Sequence, residues 1–487
     1  MTQAHAADLV VLGLGAAGLA AALTGDRLGA SVVVVERQEA ARHTPSIRMS
    51  GGLVMGVNDP HSAARYLDHC AGGIIPRDVT AAWAGRAVGI HDWLAGAGVR
   101  MSRVGGAEHP EFPGSESIDV YQPGEARFRL DPAAGRGYDL YDGLLKAVSD
   151  TNVETRWGTR ATRLLVDSAG GVAGVRVEST AGVEEIHAGC GVLLCTGGFG
   201  ADDVLKANHL PVHPAYFYGN PDNTGDGIRM AQAVGADLWH MNQFVGRAIG
   251  NFQLSDGVEL AFVLTLDPPG YVITDGRGCR FADESPQARL LHGFHRHMVH
   301  YDYASSSNPR VPSYWFFDER RRSAGPLTPT RIGAVAVGLY DWTHDNSGEI
   351  ERGWIARGHS IAEVAEKAGI ADPDRAARTV AEYNAACRGE DADPFNRPPD
   401  TLVALDRPPF YCVALWPGGS HTTGGPRRNA IAQVLDPFGS PLPGLYAAGE
   451  LGQPAGPIYP SDGSSLSEAF CFAQIAAEEA LSAGATA

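Results

Sequence analysis

The stretch DLVVLGLGAAGLAAALTGDRLGASVVVVER, residues 8–37, constrains this chain more than any other. Leu9 to Leu12 form an apolar run of strand type that breaks at Gly13-x-Gly15-x-x-Gly18 into an Ala/Leu-rich helix, and Ser31 to Val35 read as a second strand. In such a turn Gly13 permits the tight bend, and Gly15 lets a pyrophosphate approach the amides at the helix N-terminus. Gly18 lets helix and strand pack closely. Glu36 ends the second strand 18 residues after Gly18, where a carboxylate can accept hydrogen bonds from a ribose diol. A bare G-x-G-x-x-G is a weak signal, because glycine-rich turns are common. Here the strand, turn, helix, strand and acid are all present, which favours a dinucleotide over an ordinary βα turn. A solvated strand end is the competing reading of Glu36.

The dinucleotide is NAD or FAD on this stretch alone. Further along, CGVLLCTGG ends an apolar strand at Thr196-Gly197-Gly198, and PLPGLYAAGE repeats the pattern of strand, small residues and acid at Glu450. A fingerprint at residue 13 that draws on partners near 197, 226 and 450 suits an extended FAD better than an NAD held in one compact domain.

Composition removes other classes. A formal net charge of -17 with no run of Lys or Arg argues against nucleic acid. The seven cysteines are scattered and never form C-x-x-C, so a disulfide framework, a zinc site and attached haem lose support, and no metal is expected. The first residues have no basic n-region, and no stretch reaches the roughly 18 apolar residues of a membrane span, so a soluble cytoplasmic protein is expected. With 487 residues, 44% of them hydrophobic, two domains are likelier on size than one.

The order of motifs resembles the FAD-dependent fumarate reductase, succinate dehydrogenase and 3-ketosteroid dehydrogenase flavoproteins. They are GLGAAG, MSGG at 49–52, LLCTGGF at 193–199, NTGDGIRMAQAVGA at 223–236, HTTGG at 421–425 and GLYAAGE with the later SSL. The resemblance implies an α/β chain with a Rossmann-like FAD-binding domain, split in sequence, and an inserted α+β cap. Residues 1–240 would be its first part, 241–420 the cap and 421–487 its second part. It also implies FAD contacts at Gly13, Ala17, Gly18, Glu36, Arg37, Ser50, Gly51, Gly52, Asp226, Glu450, Ser465 and Leu466. Ser465 and Leu466 have a physical reason as well: they open the last apolar helix, whose amides and dipole favour the negative charge of a reduced flavin. Asp226 reads equally as a helix N-cap, and Glu450 as a surface carboxylate or a partner for ribityl hydroxyls.

Flavin exchanges hydride, so the protein must supply a proton donor or acceptor and polarise a carbonyl. The resemblance offers His421 in GGSHTTGG as a substrate-binding histidine, against a structural histidine in a glycine loop. It offers Arg289 in GCRFADESPQAR as a proton donor, against a surface arginine; the offset from Glu284 is five, where the fumarate reductase pattern has four. No HPT follows DLWHMNQF, and YPSDGSS stands where those reductases carry NRLGG, so a C4-dicarboxylate clamp is missing. In its place stands the ketosteroid dehydrogenase spacing of a tyrosine and, four residues on, a glycine: Tyr459 and Gly463. There the hydroxyl serves as acid or base and the glycine amide helps bind the substrate carbonyl, whereas packing at a helix entrance is the competing reading of Tyr459. Ser461 adds a hydroxyl and Asp462 an unexpected carboxylate. His43-Thr44 resembles the SHT of relatives with covalent flavin, but the spacing to Gly51 is two residues too long, so noncovalent FAD is expected.

The leading expectation is an FAD enzyme that introduces or reduces a carbon-carbon double bond beside a carbonyl in a mid-sized, partly apolar substrate. Alternatives are a fumarate reductase-like ene-reductase, a flavin oxidase or monooxygenase, and a non-enzymatic flavin scaffold or redox sensor. With no second fingerprint for NAD(P), an external electron acceptor or donor is expected.

Overall fold

The computed structural model describes residues 5–124, 137–288, 292–330 and 332–485. The fingerprint strand His5–Leu12 ends in a leucine and valine run with no alternation, as a segment covered on both faces must be, and residues 9–12 are wholly buried. It pairs in parallel with Val32–Val35 on one side and with Gly182–Leu194 on the other. Glu154–Arg156 and Pro441–Ala447 extend the parallel set outward, so the strand from near the C-terminus lies beside one from mid-chain, Leu445 against Val192. Gln433–Leu435 adds an antiparallel edge. The expected α/β class is what the chain adopts.

The sequence RATRLLVDSAGGVAGVRVEST forms the expected hairpin, Arg160–Val166 against Val172–Ser179. Asp167 holds its turn by accepting from the amides of Ala169 and Gly171. On one face of the parallel sheet, helix Ala16–Arg27 packs against the C-terminal helix Ser464–Gly484, with alanines letting the two approach. A three-stranded sheet of Val54–Val57, Ile118–Pro123 and Met101–Gly105 joins the same core.

These elements form one compact unit, residues 1–205, 219–244 and 421–487, and residues 206–218 and 245–420 form a second. The second unit is built on strand Phe410–Thr422, flanked by Phe244–Gln253 and Ser313–Asp318. Its core is aromatic, with Trp315, Phe317 and Tyr411 buried together. Helix Pro373–Cys387 starts on proline behind an Asp372 cap that accepts from the Arg375 amide. Glu284 is buried there and held by Arg280 (2.6 and 2.8 Å) and Arg397 (3.3 Å), while Arg280 also reaches Asp393 at 2.9 Å. All seven cysteines are free, and no helix among the described residues is long and apolar enough to cross a membrane.

Candidate functional site

The first unit carries the fingerprint, and its three glycines do different work. Gly13 has φ +96°, and a Cβ there would lie 2.5 Å from the carbonyl oxygen of Cys195. A Cβ on Gly18 would lie 1.9 Å from the carbonyl oxygen of Gly13. Both glycines are required by protein packing. Gly15 is not: its φ of -80° and ψ of -160° suit any residue, and a Cβ on it meets no atom of the described residues within 4 Å. The open space in front of Gly15, at the N-terminus of helix Ala16–Arg27, is a cradle that a side chain would fill.

Glu36 lies just past the neighbouring strand and is 6% exposed. One carboxylate oxygen accepts from the Leu14 amide (2.8 Å), which ties the acid to the glycine turn, and the other accepts from the Gln38 amide (2.9 Å). Nε2 of His43 lies 3.4 Å away. Burial is the largest influence on this carboxyl and pushes its pKa up, but His43 and the two amides together outweigh it and hold the group below the usual carboxylate range. A carboxylate offers about four acceptor positions, so three partners still leave room for a hydroxyl. The second ring nitrogen of His43 meets the Tyr141 hydroxyl at 2.6 Å, and Trp157 packs edge-on against the ring.

Around the ends of the central strands a second set of groups is locked. Oε2 of Glu450 accepts from the Gly198 amide (3.2 Å) and from Nδ2 of Asn223 (2.7 Å). The Phe199 amide donates to Oγ1 of Thr422 at 2.9 Å. A Cβ on Gly197 would strike Asn223 at 2.5 Å and one on Gly198 would strike Thr422 at 2.2 Å, so the Thr196-Gly197-Gly198 turn is fitted to these two side chains. Arg37 donates to the carbonyl of Asp222 and the hydroxyl of Thr224, both at 2.9 Å. Asp226 makes no cap: Gly225 takes that place, and both carboxylate oxygens receive Arg160 at 3.0 Å. Ser50 stabilises its own turn, donating to the Ile47 carbonyl and accepting from the amide of Gly52, whose φ is +68°. Gly51 lies inside that turn. Ala17 packs against the turn at Gly449.

The loop carrying Glu450 is clasped from below by Arg428, a fully buried residue that donates to the carbonyls of Ala447 (2.7 Å), Gly449 (3.3 Å) and Gly452 (2.9 Å). Its charge is met by Glu468 of the C-terminal helix at 2.5 Å. Burial pushes the Glu468 carboxyl up and Arg428 pulls it back. Asn223 and Thr422 sit inside motifs that the sequence displays, whereas Arg428 has no local signal, because its three carbonyl partners lie 19 to 24 residues away.

At the entrance of the C-terminal helix the structure brings together three residues that the sequence singles out separately. Nε2 of His421 lies 2.7 Å from Oγ of Ser465, and the Tyr459 hydroxyl lies 3.2 Å from the same Oγ. The Ser465 amide donates to the Tyr459 oxygen at 3.3 Å. Nδ1 of His421 faces the Thr422 carbonyl at 3.0 Å. A carbonyl only accepts, so Nδ1 carries a proton, and in the neutral ring Nε2 is then the acceptor. Burial raises the Tyr459 phenol above its ordinary pKa, Ser465 offsets part of this, and Asp462 and Glu108 add to the rise. Gly463 is fixed by packing: it has φ +82°, and a Cβ would lie 2.5 Å from the backbone at Leu53. Ser461 turns inward, its hydroxyl donating to the Asp462 carbonyl and its amide to Ser464. Leu466 packs partly buried against the core of the unit. Arg289 lies outside the described residues.

A family model described as an FAD binding domain matches residues 8–466. The chain belongs to this FAD-binding family. Its cofactor is FAD and it is an FAD-dependent oxidoreductase. Among known proteins, the 3-oxosteroid 1-dehydrogenase of Mycobacterium tuberculosis is 28% identical, aligned over 96% of this chain and 97% of that protein. The 4-oxocyclohexanecarboxylate 2-dehydrogenase of Sinomonas cyclohexanicum is 27% identical over 94% and 90%. Among solved structures, 3-ketosteroid delta1-dehydrogenase from Sterolibacterium denitrificans, in complex with 1,4-androstadiene-3,17-dione, shares the fold with a TM-score of 0.84 at 20% identity, covering 98% of this chain and 100% of that one.

The residues present fit FAD. The cradle before Gly15 is filled by none of the described residues, and Glu36 keeps acceptor capacity beside it. Oγ1 of Thr196, Oγ1 of Thr423 and the Gln453 amide are buried with no hydrogen-bond partner among the described residues, which a bound polar molecule would satisfy.

Proposed function

We propose that the protein dehydrogenates, or in reverse reduces, a carbon-carbon bond adjacent to a carbonyl in a cyclic ketone, with Tyr459 as the acid-base group. The observation that carries this reading is the tyrosine held at the helix entrance by Ser465, with His421 behind it. When bound, FAD supplies the two-electron acceptor. Gly15, Glu36, Glu450 and the amides of Ser465 and Leu466 hold the cofactor. Tyr459 exchanges the proton, and the Gly463 amide steadies the substrate oxygen as negative charge develops on it. His421 acts through Ser465 rather than on the substrate, because its one N–H is committed to Thr422. Residues 206–218 and 245–420 form the cap, and electrons leave to an external acceptor.

Both oxo-substrate relatives support a ketone, and the missing second arginine clamp argues against a dicarboxylate. The FAD is noncovalent, a reading supported by His43, whose two ring nitrogens are engaged by Glu36 and Tyr141.

The test is anaerobic mixing of the oxidised protein with 4-androstene-3,17-dione and with 4-oxocyclohexanecarboxylate, following the flavin absorbance. Bleaching by either ketone is expected. If neither ketone bleaches the flavin while fumarate reoxidises the dithionite-reduced protein, the ene-reductase reading replaces this one. Reoxidation by air within seconds would instead point to an oxidase.

A further inference from the structure

We infer that Arg247, with His292 beside it, is the subsite for a carboxylate on the substrate, so that the ketone this protein takes is a monocarboxylic keto acid and not a neutral ring system. The inference rests on the proposed ketone reaction and on the reading of residues 206–218 and 245–420 as the cap, and it narrows the substrate class. Arg247 lies on strand Phe244–Gln253 and is 7% exposed. Its Nη2 donates to Nε2 of His292 at 2.8 Å. Its Nε is buried with no acceptor among the described residues, and no carboxylate of those residues forms an ion pair with it.

Three other arginines among the described residues are as deeply buried, and each is answered by the protein. Arg321 donates to the carbonyls of Thr265, Gly325 and Pro326. Arg397 meets the Glu284 carboxylate and the Tyr271 carbonyl, and Arg428 meets Glu468 and three carbonyls. Arg247 has neither a carboxylate nor a set of carbonyls. A guanidinium offers five N–H groups, His292 takes one, and an imidazole nitrogen does not neutralise the charge. A cation buried without an anion is costly, so a site of this kind is completed by an anion that a ligand brings. A carboxylate takes two parallel N–H groups of a guanidinium, and a single arginine takes a single carboxylate.

The backbone holds Arg247 in place on both sides. The Gly246 carbonyl accepts from the Gly293 amide at 2.9 Å, which ties the turn opening at His292 to the strand residue before the arginine. Gln287 holds both backbone groups of Ala248, accepting from its amide at 3.1 Å and donating to its carbonyl at 2.8 Å. Successive strand residues alternate between faces, so Ala248 enters the aromatic core while Arg247 shares its face with Ile249, which packs with Tyr218, Ala261 and Val263. Beside such apolar neighbours a charge-assisted hydrogen bond is stronger than in water. The turn 292–298, HGFHRHM, contains three histidines, one arginine and no acid, in a chain whose net charge is -17.

The test compares 4-oxocyclohexanecarboxylate with 4-oxocyclohexanecarboxamide, a neutral ketone of nearly the same shape, in turnover by the holoenzyme with an artificial electron acceptor. Expected in the wild type is a preference for the acid of about 10- to 150-fold in kcat/KM, the scale of one charge-assisted hydrogen bond. In Arg247→Met the acid-to-amide ratio should fall to about one, with the loss in KM, and Arg247→Lys, which keeps the charge without the planar fork, should lie between the two. Cyclohexanecarboxylate has no ketone to react, and its binding by calorimetry should weaken by the same factor in Arg247→Met. The melting temperature of Arg247→Met should equal or exceed that of the wild type, because the methionine removes a buried charge that no described residue neutralises. A fall in melting temperature like that of Arg428→Met would show a structural arginine and overturn the subsite. Equal kcat/KM for acid and amide in the wild type, or an unchanged ratio in Arg247→Met, would overturn it and leave the ketone reaction standing. If acetate binds in an Arg247-dependent way while acid and amide are turned over alike, the occupant is a free anion and the substrate assignment falls. Bleaching of the flavin by 4-androstene-3,17-dione and by neither cyclohexanone also overturns the subsite alone, whereas bleaching by none of the three removes the reading beneath it as well.

Discussion

Replacing Gly15 by alanine separates the fold from the cofactor site. The backbone at Gly15 is extended, with φ -80° and ψ -160°, and the added methyl touches none of the described residues. Removing a glycine from the unfolded ensemble stabilises by about 0.4–1 kcal/mol. Gly15 is also the N-cap of its helix, where alanine is the poorer residue by roughly 0.5–1.5 kcal/mol. The two effects oppose, so the apoprotein should stay within about 1 kcal/mol of wild type. FAD binding should not survive as well. A methyl in the cradle pushes a phosphate off an amide, and each charge-assisted hydrogen bond lost is worth about 1.5–3 kcal/mol, or roughly 10- to 150-fold in Kd. Gly18→Ala is the control: its methyl would lie 1.9 Å from the Gly13 carbonyl, a backbone atom that cannot move aside, and the fold itself should fail. The assay is titration of deflavinated protein with FAD by quenching of flavin fluorescence, beside the melting temperature of the apoprotein. A Kd within threefold of wild type for Gly15→Ala would refute the reasoning, and so would a loss of apoprotein stability as large as that of Gly18→Ala. Gly15→Val, with more bulk in the same space, should purify colourless.

Glu36→Gln should weaken FAD by about tenfold, since the amide still accepts one ribose hydrogen bond; an unchanged Kd would leave the acid with only its protein partners. Because the folded-state pKa of Glu36 is lowered, its contribution to stability is fully present above the ordinary value of 4.5 and is lost as pH falls through the lowered one, so Glu36→Gln and wild type should converge in melting temperature under acid. Arg428→Met strands the Glu468 carboxylate in the core and should cost about 3–5 kcal/mol by urea unfolding, with the double variant Arg428→Met/Glu468→Leu recovering part of it. Trichloroacetic acid precipitation should leave the yellow colour in the supernatant, and a yellow pellet would show a covalent link.

What the sequence determines alone is whatever depends on short spacing. A glycine turn between a strand and a helix, with an acid one strand later, is local chemistry: Gly18 meets Gly13 and Glu36 meets the Leu14 amide within that single βαβ unit, although the carbonyl that crowds Gly13 belongs to Cys195, far along the chain. The strands ending at Leu194 and Ala447 were legible for the same reason, as apolar runs that stop at small residues. Tyr459 and Gly463 carried their meaning through resemblance, and their spacing is again local. Tertiary structure decided everything that joins distant segments. Asn223, Thr422 and Glu450 lock the 196–198 turn from three parts of the chain, and Arg428 grips carbonyls whose backbone reveals nothing in sequence. Asp226 reads in sequence equally as a helix cap and as a cofactor contact, and the structure gives both its oxygens to Arg160, 66 residues earlier, with Gly225 at the cap. Ser465 illustrates the difference most directly: its amide position follows from the start of a helix, but its hydroxyl meets His421, 44 residues away, at 2.7 Å only because strand Phe410–Thr422 delivers that ring. A hydrogen bond depends on distance and direction in space, and a one-dimensional pattern fixes neither beyond a turn or two of helix.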